Sequence, residues 1–183
     1  MKSKASRRYS LAIFGVAEEK GKLEEVTKDV TFAINLIKSN HDLELFFNSP
    51  VIPKNKKLEV VKNIFGSNVS ELTMNFMNLL IERRRGALTR EILEDFIKLK
   101  KEKEGIVDVT VKTSVDLNDK EKANMKSKIE AYTKLKAELT FEIDKSIIGG
   151  FVAKIDDTIL DASIKRQLEI LKEKFKQGDF VLN

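Results

Sequence analysis

Cysteine and tryptophan are absent from the 183 residues, histidine occurs once (His41), proline twice, and aromatics reach only 7%. Without cysteine there is no zinc finger, no thiol nucleophile and no disulfide framework. His41 follows Asn40 near a helix start, has no nucleophile or metal ligand beside it, and reads as an ordinary surface residue. No apolar run approaches the roughly 18 residues of a membrane span. The chain is expected to be soluble, docking at most on a membrane complex and not inserting into the bilayer. What is present is a 42% hydrophobic content, sufficient for packed cores, under a surface supplied by 34% charged residues. The net charge of +5 is uneven: residues 1–105 hold 20 Lys/Arg against 15 Asp/Glu, and residues 106–183 hold 14 against 14. That asymmetry is one sign of two domains, 1–105 and 106–183.

The opening residues carry Lys2, Lys4, Arg7 and Arg8 and no acid, as a mitochondrial transit peptide would, but the stronger reading is a first helix. A secretory signal is not expected, because the apolar part is short and Glu18-Glu19-Lys20 follows directly. Helical periodicity then predicts helices near 4–19, 22–38, 41–47, 54–64, 69–84 and 89–103. They are separated by Gly21, Ser39-Asn40, Ser49 to Pro53, Gly66-Ser67-Asn68 and Gly86. Asn68 with Glu71 suggests a reciprocal cap for the fifth helix. Six short helices with short links imply a bundle. Two helices carry more apolar surface than a one-sided helix needs. In the first, Tyr9, Ala12, Ile13, Val16 and Ala17 share a face, with Leu11 and Phe14 off it. In the fifth, Val69, Leu72, Phe76, Leu79 and Leu80 form a stripe widened by Met74, Met77 and Ile81. Either these helices are central in the bundle or their extra face accepts an amphipathic helix from a partner.

After Gly105 the period changes to two. Val107, Val109, Val111, Thr113 and Val115 alternate with polar residues, as a strand with one wet face does. Asn118 with Glu121 predicts a capped helix to about Leu135, with Ala123, Met125, Ile129 and Tyr132 as its apolar residues. Leu139, Phe141 and Ile143 mark a second strand. Ile147, Ile148, Phe151 and Val152 mark a third, interrupted by Gly149-Gly150 at a bulge or a close backbone approach. Asp156-Asp157 reads as a turn, Thr158 to Leu160 as a return strand, and Asp161 as the N-cap of a last helix. That helix carries Ile164, Leu168, Leu171 and Phe175 on one face. The fold class is thus mainly α in two domains, a six-helix bundle followed by a small α+β domain.

None of the motifs carries catalysis. Gly149-Gly150 lacks the Gly-Lys-Ser/Thr of a phosphate loop, and Asp156, Asp157 and Asp161 suit a turn and a helix start better than a metal or acid/base pair. No catalytic residue, cofactor site or metal site is expected. Arg83-Arg84-Arg85 and Lys54, Lys56 and Lys57 raise a nucleic-acid-binding alternative using the basic first domain. No recognition motif accompanies them, and the aromatics sit on apolar helical faces.

The stretch from Lys145 to Lys172 resembles the C-terminal signature of the delta subunit of bacterial F-type ATP synthases, related to the mitochondrial oligomycin sensitivity conferral protein. The matching residues are Ile148, Gly150, Asp157, Asp161, Ser163 and Leu168, with departures at Asp156, Ala162 and Lys165. Residues 8–17 resemble that family's opening, with Ser10 in place of the usual alanine, and Leu80 to Arg85 with Ile92, Phe96 and Leu99 fit its fifth and sixth helices. The resemblance implies a non-catalytic stator subunit, one copy per complex, peripheral on the cytoplasmic face of the bacterial inner membrane. Its first and fifth helices would hold the N-terminal helix of an alpha subunit through Tyr9, Ala12, Ile13, Val16, Leu72, Phe76, Leu79 and Leu80. Its C-terminal domain would hold the C-terminal helices of the b subunits, so that proton-driven rotation is coupled to ATP synthesis.

Overall fold

Breakers at short intervals divide the first hundred residues into helices that cannot bury their apolar faces alone. A computed structural model describes residues 4–156 and 158–177, and the chain divides after Lys103 into two compact units. The first holds α1 (Lys4–Glu19), α2 (Leu23–Ser39), α3 (His41–Asn48), α4 (Lys54–Phe65), α5 (Glu71–Glu82) and α6 (Thr89–Lys103), with a 3-10 turn at Gly86–Leu88 before α6. One apolar core joins all six, with Phe65 and Phe96 the largest side chains wholly out of solvent. α1 packs chiefly against α6 and then α2, whereas α5 packs against α4 and α2.

One local feature of this unit differs from the sequence reading, and another resolves what that reading leaves open. α5 is capped by Ser70, not by the Asn68–Glu71 pair. The Ser70 hydroxyl oxygen lies 3.4 Å from the Thr73 N–H, and Asp29 of α2 reaches across to the same helix start. Its Oδ2 accepts from the Ser70 N–H at 2.8 Å, the Ser70 hydroxyl at 2.6 Å and the Thr73 hydroxyl at 2.8 Å. A carboxylate against a helix N-terminus is favoured by both orphan donors and the dipole. A cap supplied from 41 residues away has no local sequence pattern to announce it.

The structure also settles the inward face of α1, which the sequence leaves open. The buried residues are Ser6, Ser10, Ile13, Phe14 and Ala17, so Phe14 belongs to the core while Ala12 and Val16 do not. Small serines allow α1 and α6 to approach closely. The Ser10 hydroxyl lies 2.9 Å from Ser6 O and 2.8 Å from Ile92 O, and either carbonyl satisfies its donor. Phe14 meets Phe96 of α6 with ring centroids 5.8 Å apart.

The second unit runs β1 (Ile106–Thr113), α7 (Asp119–Thr133), β2 (Lys136–Ile143), β3 (Phe151–Ile155), β4 (Thr158–Asp161) and α8 (Ile164–Gln177). Its sheet has the order β2-β1-β3-β4. β1 and β2 are parallel, with α7 as the crossover between them, and β3 and β4 form an antiparallel hairpin beside β1. Alternation places Val107, Val109, Val111, Ala137 and Ala153 on one face, with Ile129 of α7 in the same core. The other face is wet, and on it Lys112 stands directly opposite Glu142, their charges 3.6 Å apart. Asn118 and Glu121 make the expected capping box on α7. Val115 lies beyond β1, and Tyr132 of α7 faces solvent instead of the core.

Candidate partner-binding surfaces

On α1 and α5 the structure divides the candidate residues by exposure. Ile13 and Leu80 are core residues, and Phe76 is nearly so. Tyr9 and Leu72 are half-buried, Ala12 is exposed, and Val16 and Leu79 are 40% and 38% exposed. The accessible residues occupy one flank of each helix: Tyr9, Ala12 and Val16 at helical spacing on α1, Leu72 and Leu79 on α5. Leu11 is exposed on a different side of α1, as its angular position requires. Both helices pack on α2. The Arg8 guanidinium lies 5.7 Å from the Tyr9 ring centroid at the edge of the α1 flank, so a partner there would meet apolar contact beside one cation.

The C-terminal signature resolves into a turn and a helix face. Gly149 and Gly150 precede β3 and do not interrupt a strand, because β3 begins at Phe151. The close approach expected there is found. Gly150 has φ +80°, and a Cβ on it would lie 2.4 Å from Ala162 O and 3.1 Å from Ser163 Cα. Only glycine fits that backbone and that space. The strap is completed by the Ala162 N–H donating to Phe151 O and the Ile164 N–H to Gly149 O, both at 2.9 Å.

Asp161 closes β4, and the residue that caps α8 is Ser163, whose hydroxyl oxygen accepts from the Arg166 N–H at 3.2 Å. Asp161 acts one step earlier, its Oδ1 accepting from the Ser163 N–H at 2.9 Å. Hydrogen bonding by the Ser163 hydroxyl and then its N–H holds the Asp161 carboxyl below its ordinary range. Asp157 lies outside the described residues. Gly150, Asp161 and Ser163 thus aim α8, while Ile148 and Leu168 are exposed apolar residues.

α8 leaves its apolar face open. Ile164, Leu168, Leu171 and Phe175 recur at helical spacing, and all four are exposed, Leu168 to 56%. An apolar stripe that its own unit leaves in solvent is the usual mark of an interaction surface. On the same unit, Met125, Ile129 and Tyr132 of α7 face Phe151 and Leu160 of the hairpin across an apolar cleft. Nothing in the pattern of α7 announces that cleft, because part of its lining comes from strands.

Among the described residues no group of three or more His, Asp or Glu is placed to hold a metal ion. None of the described helices is long and apolar enough to cross a membrane.

Comparison with known proteins extends the pattern to the whole chain. The family model described as ATP synthase delta (OSCP) subunit matches residues 5–175. The ATP synthase delta subunit of Chloroherpeton thalassium is 36% identical over 172 residues, covering 94% of both chains. The corresponding protein of Salinibacter ruber is 35% identical over 173 residues, covering 94% of this chain and 91% of that one. A chain of the Toxoplasma gondii mitochondrial ATP synthase hexamer shares the fold, with a TM-score of 0.75 at 22% identity over 94% of this chain and 98% of that one. With a family match across nearly every described residue, and relatives at 35–36% identity, the chain belongs to the ATP synthase delta (OSCP) subunit family.

Proposed function

We propose that this chain is the non-catalytic stator component of an F-type ATP synthase, linking the alpha/beta catalytic head to the b subunits of the peripheral stalk. The observation that carries this reading is that each unit leaves an apolar helical surface exposed to solvent. On the first unit it is the flank Tyr9, Ala12 and Val16 with Leu72 and Leu79. On the second it is the open face of α8. A protein that holds two others together under torque needs two such surfaces and no reactive side chain. The first would take the N-terminal helix of an alpha subunit, the second the C-terminal helices of the b subunits. The chain would then sit peripherally on the cytoplasmic face of the bacterial inner membrane, one copy per complex, coupling proton-driven rotation to ATP synthesis.

The nucleic-acid alternative finds less support. Of the basic runs that raise it, Lys57 is buried and donates to Phe47 O at 2.9 Å, and Lys54 lies 4.0 Å from Glu82, so these lysines are not arrayed towards a phosphate backbone. The test is calorimetric titration of the full chain with a peptide of about 20 residues, one helix of roughly 30 Å. The peptide copies the N-terminus of the alpha subunit encoded in the same genome. One-to-one binding with a negative heat-capacity change is expected, weakened at least tenfold by Leu79→Asp in a chain that still folds. Absence of heat and of chemical-shift change at high concentration would remove the flank from the reading. Strongly salt-dependent binding of DNA or RNA would favour the alternative.

A further inference from the structure

The two basic runs that the stator reading leaves unused meet in space. Lys54 and Lys57 from the start of α4, and Arg84 from the turn after α5, line one cleft of about 490 Å³ beneath the Ser49–Pro53 segment. Its size is that of a ligand pocket. Three cations line it and no acidic residue does. Lys54 has a loose partner outside the lining, Glu82 at 4.0 Å.

Lys57 is the unusual one. Only 9% of the residue is exposed, its Nζ donates to Phe47 O at 2.9 Å, and its charge lies 5.8 Å from the Phe46 ring centroid. One of three donors is used, and among the described residues no carboxylate pairs with it. A buried cation is ordinarily paired, and burial alone pulls this ammonium below its usual range.

Arg84 is the second departure. It has φ +57°, with the Arg84 N–H donating to Ile81 O and the Arg85 N–H to Leu80 O. That is the helix-ending turn whose left-handed position is normally glycine. An arginine held there is strained, as Lys134 is at the end of α7, and Arg84 lines the cleft.

Two further features keep the cleft open to an anion. Gly86 has no side chain over Lys57, where a Cβ would stand 3.8 Å from Nζ. The N-terminus of α4 has neither a side-chain cap nor an acid in its first turn.

We propose that this cleft receives an acidic peptide segment of a partner, taking one carboxylate between Lys57 and Arg84 and an apolar neighbour against Pro50, Val51 and Ile52. The apolar half of the lining favours a peptide over a bare inorganic anion. Val51, 85% exposed at the rim, would otherwise have no partner. The site is separate from the α1 and α5 flank, so it stands or falls independently of the stator reading.

The test titrates the isotope-labelled full chain with the blocked peptide Ala-Leu-Asp-Leu-Ala, its Ala-Leu-Asn-Leu-Ala counterpart, and inorganic phosphate, following the Gly86 and Ala87 amides. The aspartate peptide is expected to saturate these shifts at millimolar concentration, with the asparagine peptide about tenfold weaker. Arg84→Gly is expected to raise Tm by removing the strain while weakening the aspartate peptide about tenfold. Gly86→Ala, whose methyl meets only ordinary contacts, should leave Tm unchanged and weaken binding by covering the ammonium. Equal affinity for the two peptides, no shift at millimolar concentration, or undiminished binding in Arg84→Gly would overturn the proposal. So would phosphate saturating the same amides at lower concentration than the peptide.

Discussion

Asp29 shows how much a single side chain can hold together. Its Oδ2 takes three donors from the start of α5 while the residue is 8% exposed. Hydrogen bonds to a charged acceptor contribute about 1.5–3 kcal/mol each, and not additively. Asp29→Ala strands Ser70 and Thr73 and is expected to lower stability by about 2–4 kcal/mol, read as a reduced urea midpoint at unchanged slope. Asp161 makes a pH statement instead. Its carboxyl is depressed in the fold by Ser163, so its contribution is present above the unfolded carboxylate range and is lost as pH falls through its folded value. Acidification from pH about 5 to about 2 should therefore loosen the start of α8, and Asp161→Asn should remove that pH dependence. Amide exchange at Ser163 and Ile164 would report it. A rate at those two amides indifferent to pH beyond the intrinsic trend would contradict the account.

At the scale of elements, the legible part is whatever depends on neighbours in sequence. The limits of five of the six N-terminal helices follow from periodicity and breakers to within a residue, and the Asn118–Glu121 box stands where its spacing puts it. What is not legible depends on contacts far along the chain. Periodicity groups Tyr9, Ala12, Ile13, Val16 and Ala17 on one side of α1 but leaves open which side faces inward; Ser6 and Ser10 look polar, and only α6 packed alongside makes them buried residues. The same blindness assigns the α5 cap to Asn68, when the true partner of Ser70 is on α2. The candidate surfaces divide likewise. Val16 and Leu79 are legible as spare apolar residues, whereas Ile13 and Leu80 cannot be told from them until the bundle is assembled. The Gly149-Gly150 pair is legible as a close approach but not as the strap that launches α8. Gly150→Ala puts a methyl into Ala162 O at a positive φ, a cost of about 2 kcal/mol or more. The expected result is loss of α8 protection in amide exchange before any loss at β1, and equal protection of α8 in the variant would reject the strap.

For the whole molecule, the surface matters as much as the core. Leu168→Asp changes a residue that is 56% exposed, so its effect on folding should stay within about 0.5 kcal/mol. Binding of a fragment from the C-terminal end of the b subunits should fall at least tenfold, measured by calorimetry on the full chain. A variant that loses stability but keeps its partner would show that α8 serves the fold and not the assembly.

The contact between Ser10 and Ile92 spans 82 residues of chain, and it has a consequence during synthesis. Helix α1 has its main partner in α6, the last helix of its unit. At roughly 5–20 residues per second, a ribosome needs about 4–16 s between delivering one and the other. Through that interval Ile13, Phe14 and Ala17 have no α6 to cover them. Completion of the bundle therefore waits on translation of its final helix.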